Sequence, residues 1–251
     1  MAISLASISK TTRNAVPPRV IVHGQGGVGK STFAASAYRS IFLPFEDGLS
    51  GIEVEAFPRL TSYDDCIAAI GALASDAHDF GTVVIDSLDW LEPHVWARVA
   101  AAHGKASIED IPYGKGYAEA LPLWRTIFDG LNHLREKRGM AVVLICHSQV
   151  KRFEAPDSEP FDRYELKLHK GASALAVEWA DIVGFAHHET AIKKDSNGFQ
   201  TRARGIATGR RLLRVVETPA CVAKNRYALP ELIELSWPSL MAAMNPAAAA
   251  A

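Results

Sequence analysis

Gly24-Gln25-Gly26-Gly27-Val28-Gly29-Lys30-Ser31 is a complete G-x-x-x-x-G-K-[ST] motif. Glycines at this spacing let backbone N–H groups curl around phosphate oxygens. The lysine that follows can reach the β and γ phosphates of a nucleotide, and the serine hydroxyl can ligate a magnesium ion. The flanks agree with that reading. Val20 to His23 supplies a short apolar strand before the loop, and Ser31 to Ser40 reads as the helix after it. The helix N-terminus carries a partial positive charge that favours phosphate. The loop residues expected to bind nucleotide are therefore Gly24, Gln25, Gly26, Gly27, Val28, Gly29, Lys30, Ser31 and Thr32.

Outward from the loop, apolar strands alternate with helical patterns. Strands are expected at Val20–His23, Ile41–Phe45, Thr82–Ile85, Ala141–Cys146 and Ile182–Ala186. Helices are expected from Tyr63 to Ala74 behind a Ser62 cap, from Asp89 to Ala102, and from Ala118 to Lys137 with Pro122 in its first turn. In the last of these, Leu121, Trp124, Ile127, Phe128, Leu131 and Leu134 share one face. The strands are continuous apolar runs, the pattern of a sheet covered on both faces. An α/β fold with a mainly parallel, helix-flanked sheet follows. Ala191–Lys193, Gly205–Thr208, Leu212–Glu217 and Cys221–Ala223, with a turn at Asn197-Gly198, read as antiparallel strands extending it.

Bulk composition narrows the class. The chain has 251 residues, 48% of them apolar, which suits one sizeable domain. A net charge of −1 means that any nucleic-acid footprint must be local. The three cysteines, Cys66, Cys146 and Cys221, lack metal spacing and suit a reducing cytosol. No apolar run approaches the roughly 18 residues of a membrane span, and the start lacks a signal-peptide pattern. A cytoplasmic protein with no membrane partner is expected.

Three strand ends carry candidate chemistry. Thr82-Val83-Val84-Ile85-Asp86 ends in an acid that can hold Mg²⁺ together with Ser31. Asp89 then reads as the cap of the next helix. The second strand ends in Glu46, with Asp47 as the alternative, where a carboxylate can orient an attacking water. The fourth ends in His147, with Gln149 as second choice, beside the place of the γ-phosphate.

This order of elements resembles the RecA-type ATPase core. Val84-Ile85-Asp86-Ser87-Leu88-Asp89-Trp90-Leu91 resembles that family's metal-binding strand, and Leu43-Pro44-Phe45-Glu46-Asp47-Gly48 its catalytic-glutamate strand. Three further stretches, 107–117, 146–153 and 224–227, are similar to phage-encoded, core-only RecA-like proteins, some of which anneal single strands. The resemblance covers roughly residues 17 to 235. It implies a RecA-like P-loop NTPase domain over 17–244, between a flexible segment 1–16 and a low-complexity tail 245–251. It also implies ATP and Mg²⁺ as cofactors, hydrolysis at subunit interfaces of a ring or filament, single-stranded DNA as ligand, and a single-strand-binding protein as natural partner, in a bacterial host cytoplasm. Two loops would hold the DNA. The first, 103–117, offers Lys105, Tyr113, Lys115 and Tyr117; the second, 151–171, offers Lys151, Arg152, Phe153, Lys167 and Lys170. The nine Lys/Arg between Lys193 and Arg226 face only Asp195 and Glu217. Within that stretch Lys224 and Arg226, two apart on a strand, would share a face and reach a neighbouring subunit's γ-phosphate. Two other readings stay open: a nucleotide-dependent assembly module that binds protein and no DNA, and a helicase or helicase-loader ATPase.

Overall fold

A computed structural model describes residues 16–154, 159–197 and 200–245, with only the backbone between 191 and 207. The expected N-terminal segment and tail lie almost wholly outside the described residues. The central strand is β1 (Arg19–Gly24). Around it are β2 (Ser40–Pro44), β3 (Glu55–Ala56), β4 (Thr82–Asp86), β5 (Ala141–Phe153), β6 (Phe161–Leu166), β7 (Ile182–Asn197), β8 (Gln200–Arg214), β9 (Lys224–Asn225) and β10 (Leu232–Glu234). The sheet order is β10-β8-β7-β1-β5-β4-β2-β3, with β6 on β5 and β9 on β7. From β7 through β3 all neighbours run parallel, whereas β8, β10, β6 and β9 join antiparallel.

The alternation of strand side chains fills two cores. Ile21, Leu43, Ile85 and Leu144 point to one face, under α2 (Tyr63–Ser75), α3 (Leu88–Ala102), α4 (Lys115–Lys137) and α5 (Lys170–Trp179). Val20, Val22, Phe42, Val84 and Val143 point to the other, under α1 (Lys30–Ala35) and α6 (Trp237–Met244). This two-sided burial is why those strands read as unbroken apolar runs. The fold is the RecA-like P-loop arrangement, mostly parallel, with antiparallel strands toward the C-terminus.

Local differences from the sequence reading have physical causes. The helix after the phosphate loop is short, because the chain turns at Arg39 (φ 46°) to lay Ser40 against Thr82. Ser62 caps α2 as expected, accepting from the Asp65 N–H. Ser87, not Asp89, is the N-cap of α3. α4 begins at Lys115, so Pro122 lies inside the helix rather than in its first turn; it is exposed, and its carbonyl accepts the Thr126 hydroxyl. The largest correction falls on 151–171, read as an open loop. There β5 continues to Phe153 and pairs with β6 as a hairpin from Ser148↔Leu166 to Phe153↔Phe161, and α5 follows. Of the expected C-terminal strands, Cys221–Ala223 is reduced to isolated bridges beside β9. Among the described residues no helix is long and apolar enough to cross a membrane.

The lower edge of the sheet is tied by one carboxylate. Asp181, 5% exposed, takes Arg19 through its backbone N–H, Nε and Nη2, and also pairs with Arg135 and Arg226.

Candidate nucleotide site

β1 delivers the phosphate loop to the carboxyl edge of the sheet, beside β5 and β7, where the strand order changes direction; α/β folds bind ligands there. The crossing is tight. A Cβ on Gly24 would stand 2.5 Å from the Ala186 carbonyl oxygen. Gly29, at φ 102°, is the N-cap of α1 and keeps the loop open above the helix. Gly29→Ala is expected to fail by left-handed strain; its Cβ would also displace the flexible Arg211 guanidinium, 2.8 Å away, at little further cost. Nucleotide affinity should fall at least tenfold, which a titration with a fluorescent analogue would read.

A cavity of about 430 Å³ sits over the loop, lined by Gly27, Gly29, Lys30, Ser31 and Thr32. Glu46, His147 and Arg211 close it. Lys30 is buried, its Nζ donating to the carbonyls of Gly24 (3.2 Å) and Gln25 (3.0 Å). Burial lowers its pKa, against the opposing pull of Asp86, Asp89 and Glu46. The Ser31 hydroxyl donates to Asp86 Oδ2 at 2.7 Å. The other oxygen, Asp86 Oδ1, is buried and has no hydrogen-bond partner. A paired hydroxyl and carboxylate with one orphaned oxygen is a donor set that suits a hard divalent cation such as Mg²⁺. Burial pushes both Asp86 and Glu46 above the usual carboxylate range, and the nearby Asp86 charge raises Glu46 further. Such a pair of crowded acids is what a cation would neutralise. Asp47 is exposed and does not line the cavity.

His147 is held from behind. Asp89 accepts both its backbone N–H (2.9 Å) and its ring Nδ1 (3.0 Å). Burial alone would raise the Asp89 pKa, but the His147 bonds outweigh it and hold the carboxylate below its ordinary value. The residue read as a helix cap therefore orients the residue at the cavity wall. The Lys167 backbone N–H donates to the His147 carbonyl (2.8 Å), and its ammonium lies 3.9 Å from Asp89. Gln149, the second choice, turns away from the cavity; its Nε2 donates to the Leu166 (2.9 Å) and Leu168 (3.4 Å) carbonyls and braces the hairpin.

Arg211 was not singled out by the sequence. It is exposed at the cavity and makes no ion pair among the described residues. Strand alternation separates it from Arg210, which pairs with Glu189. Lys224 and Arg226 do share one side, as their spacing implied, but that side faces the end of α5. Lys224 donates to the Val177 and Glu178 carbonyls (both 2.7 Å), while Arg226 donates to Glu178 O and pairs with Asp181. Cations at a helix C-terminus satisfy its last carbonyls and its dipole.

The residues expected to touch DNA divide into two groups. Lys105 and Tyr113 are exposed on the α3–α4 connection, with Tyr113 96% exposed, Lys115 is exposed at the start of α4, and Arg152 is exposed on β5. Lys151 and Lys170 line a separate cavity of about 280 Å³ between the hairpin and α5. Tyr117 is instead stacked on His169 (4.4 Å, 11°) and edge-on to Trp96. Phe153 lies under the Arg163 guanidinium (4.0 Å). Lys167 belongs to the His147–Asp89 cluster. Tyr117 packs where α4 meets the start of α5 and Phe153 packs within the hairpin, whereas the Lys167 side chain is exposed.

Beneath them, both Glu92 oxygens accept the His169 backbone N–H (3.0 and 2.9 Å), and burial pushes the Glu92 carboxyl to about 7. A folded pKa above the ordinary 4.5 means that the associated stability is fully present below about 4.5 and is lost as pH rises through 7. Relative to Glu92→Gln, the native chain should lose Tm between pH 5 and pH 8 in calorimetry. A pH-independent difference would contradict this.

The loop, Asp86 at the end of β4 and the sheet order define a P-loop nucleotide-binding ATPase of RecA-like fold. The profile of a protein family described as an AAA domain matches residues 16–227, and the chain belongs to that family. Among solved structures, the RadB recombinase aligns at 14% identity with a TM-score of 0.47, over 87% of this chain and 88% of that one. No curated protein matches.

Proposed function

We propose that the protein hydrolyses ATP with Mg²⁺ and uses the cycle to bind and release single-stranded DNA. The observation that carries the hydrolytic part is that Lys30, Ser31 and Glu46 line one cavity, with Asp86 buried behind Ser31, bonded to its hydroxyl and left with one orphaned oxygen. Lys30 holds the β and γ phosphates, and the amides of Gly27 to Thr32 cradle them. Ser31 and Asp86 would hold Mg²⁺, which when bound would offset phosphate charge. Glu46 takes a proton from, or orients, the attacking water. His147 sits at the γ-phosphate and reports its loss through Asp89 and Lys167.

Arg211 supplies in cis the positive charge that the sequence reading gave to a neighbour's Lys224 and Arg226. Arg211→Ala should cut turnover about tenfold to a hundredfold, the range of a lost charge-assisted hydrogen bond, with an unchanged melting curve. Lys224→Ala should instead lower Tm while turnover per folded chain persists. The reverse pattern, with turnover that rises with protein concentration, would restore the trans role.

The DNA part rests on Lys105, Lys115, Lys151, Arg152 and Lys170, and on Tyr113 as a base-stacking ring. Its place in strand annealing and phage recombination rests on the resemblance alone. Anisotropy of a labelled single strand, with Mg²⁺ and a non-hydrolysable ATP analogue, tests it. Nucleotide-dependent, salt-sensitive binding that weakens in Lys151→Ala/Arg152→Ala is expected. The packing of Tyr117 and Phe153 favours the second reading, an assembly module for a protein partner; a wild-type chain that binds no strand in any nucleotide state would select it.

A further inference from the structure

His147 is tied to its surroundings through one ring nitrogen. Nδ1 lies 3.0 Å from Asp89 Oδ2 and 3.2 Å from Oδ1. Burial alone would raise the Asp89 pKa, but the His147 bonds hold it below its ordinary value, so Asp89 is an ionised carboxylate. An ionised carboxylate only accepts, and Nδ1 therefore carries a proton. Asp89 also accepts the His147 backbone N–H (2.9 Å), which pins that edge of the residue to α3. The other ring nitrogen, Nε2, makes no hydrogen bond among the described residues and keeps access to solvent. The side chain is 26% exposed, and the residue lines the nucleotide cavity with Lys30 and Glu46.

This arrangement sets a chemical conflict. A neutral imidazole protonated at Nδ1 presents a lone pair at Nε2. Phosphate oxygens are acceptors as well, so a terminal phosphate at this wall would meet lone pair with lone pair. One added proton removes the conflict, because an imidazolium donates from both nitrogens. The charged groups around the ring come from several elements. Asp89 stands behind it on α3, with the Lys167 ammonium 3.9 Å beyond. Glu46 after β2 and Asp86 on β4 add negative charge, and Lys30 of α1 and Arg211 of β8 add positive charge across the cavity. Among the described residues only Asp89 lies within ion-pair distance of the ring.

We propose that His147 selects nucleoside triphosphates over diphosphates as an imidazolium: it takes up one proton from solvent when a terminal phosphate arrives, and donates to Asp89 from Nδ1 and to that phosphate from Nε2. Asp89 is its positioning residue. The proposal rests on the nucleotide-binding reading above and adds to it a dependence on pH. The complex holds one more proton than the free chain, so the preference for triphosphate falls as pH rises, by up to about tenfold per pH unit. A diphosphate places nothing at this wall and draws no proton through His147.

Calorimetric titration of the full chain with Mg²⁺ at about pH 8, in two buffers of different ionisation enthalpy, counts the protons taken up. The ligands are ADP and the γ-thio analogue of ATP, whose terminal group is already ionised there. The triphosphate should take up close to one proton more than ADP, and its advantage in affinity should shrink from about pH 7 to about pH 9. His147→Gln keeps an N–H donor that cannot take up a proton. It should keep the preference for triphosphate, lose the extra proton and flatten the pH response. Asp89→Asn keeps an acceptor for Nδ1–H but not the charge behind it, and should reduce the extra uptake.

Equal proton counts for the two nucleotides in the wild-type chain overturn the proposal. So does a folded His147→Gln that still takes up the extra proton, since Lys30, Glu46 or Asp86 then carries it. If His147→Gln does not fold, Asp89→Asn decides, and undiminished uptake in that variant overturns the proposal. If neither nucleotide binds, the nucleotide-site reading fails and the proposal falls with it, whereas binding with equal counts leaves that reading standing.

Discussion

Lys30→Ala should abolish nucleotide turnover while the chain still folds. Lys30 is 6% exposed, and its ammonium already lies against the Gly24 and Gln25 carbonyls, at the mouth of the loop that cradles phosphate. Burial lowers its pKa against the opposing pull of Asp86, Asp89 and Glu46, and it is the loop's own cation in a cavity that Arg211 also lines. Removing it leaves Glu46 and Asp86 facing phosphate charge with no fixed cation from the loop. Preorganised donors of this kind are worth about a hundredfold to a thousandfold each in rate. Phosphate release should therefore fall by at least that factor, and analogue binding should weaken with it. The fold should persist, because the Lys30 bonds are local to the loop and no core contact depends on them. Normal phosphate release from this variant would remove the nucleotide site from the assignment altogether.

How much of this was legible in advance depended on what each segment packs against. Val83-Val84-Ile85 is buried on both faces, so its apolar run named a central strand, and Asp86 at its end was placed by that run. Glu46 followed from the same logic one strand over. The hairpin from Ser148 to Leu166 was opaque because it stands away from the main sheet. Val150 is 57% exposed there while the polar Gln149 is turned inward, so no alternation survives. α5 starts Lys170-Gly171, with two weak start signals, and its cap is the His169 ring rather than a Ser or Asp. Tyr117 and Phe153 look like free aromatics in the chain. Only the meeting of α4 with the start of α5, and the pairing of β5 with β6, show that they are packed. Arg210 and Arg211 are indistinguishable as letters; the register His188↔Arg211 decides which one reaches the nucleotide cavity.

The largest stability effect should come from Asp181, far from the chemistry. Its carboxylate gathers Arg19, Arg135 and Arg226, and it also accepts the Arg19 backbone N–H at the start of the central strand. Arg19 in turn lies over the Trp179 ring at 5.0 Å, so the same point fixes the end of α5. Asp181→Ala would leave three guanidinium groups crowded around a site that is almost dry. Breaking a buried pair by removing one partner costs about 3–5 kcal/mol. For a chain of this size that corresponds to a fall in Tm of roughly 10 °C or more. The pH dependence has a definite sign. Burial by itself would raise the Asp181 pKa, but the Arg19 hydrogen bonds and the surrounding charges outweigh it and hold it below the ordinary 3.8. Its contribution is therefore present above about pH 4 and is lost as pH falls through the folded value. The Tm gap between wild type and Asp181→Ala should be full at pH 7 and narrow below pH 4. A gap that stayed constant into acid would mean that the cluster stabilises by shape alone. Asp181→Asn separates the two, since it keeps the shape and the acceptor oxygen but not the charge; on the electrostatic account it should recover only part of the loss.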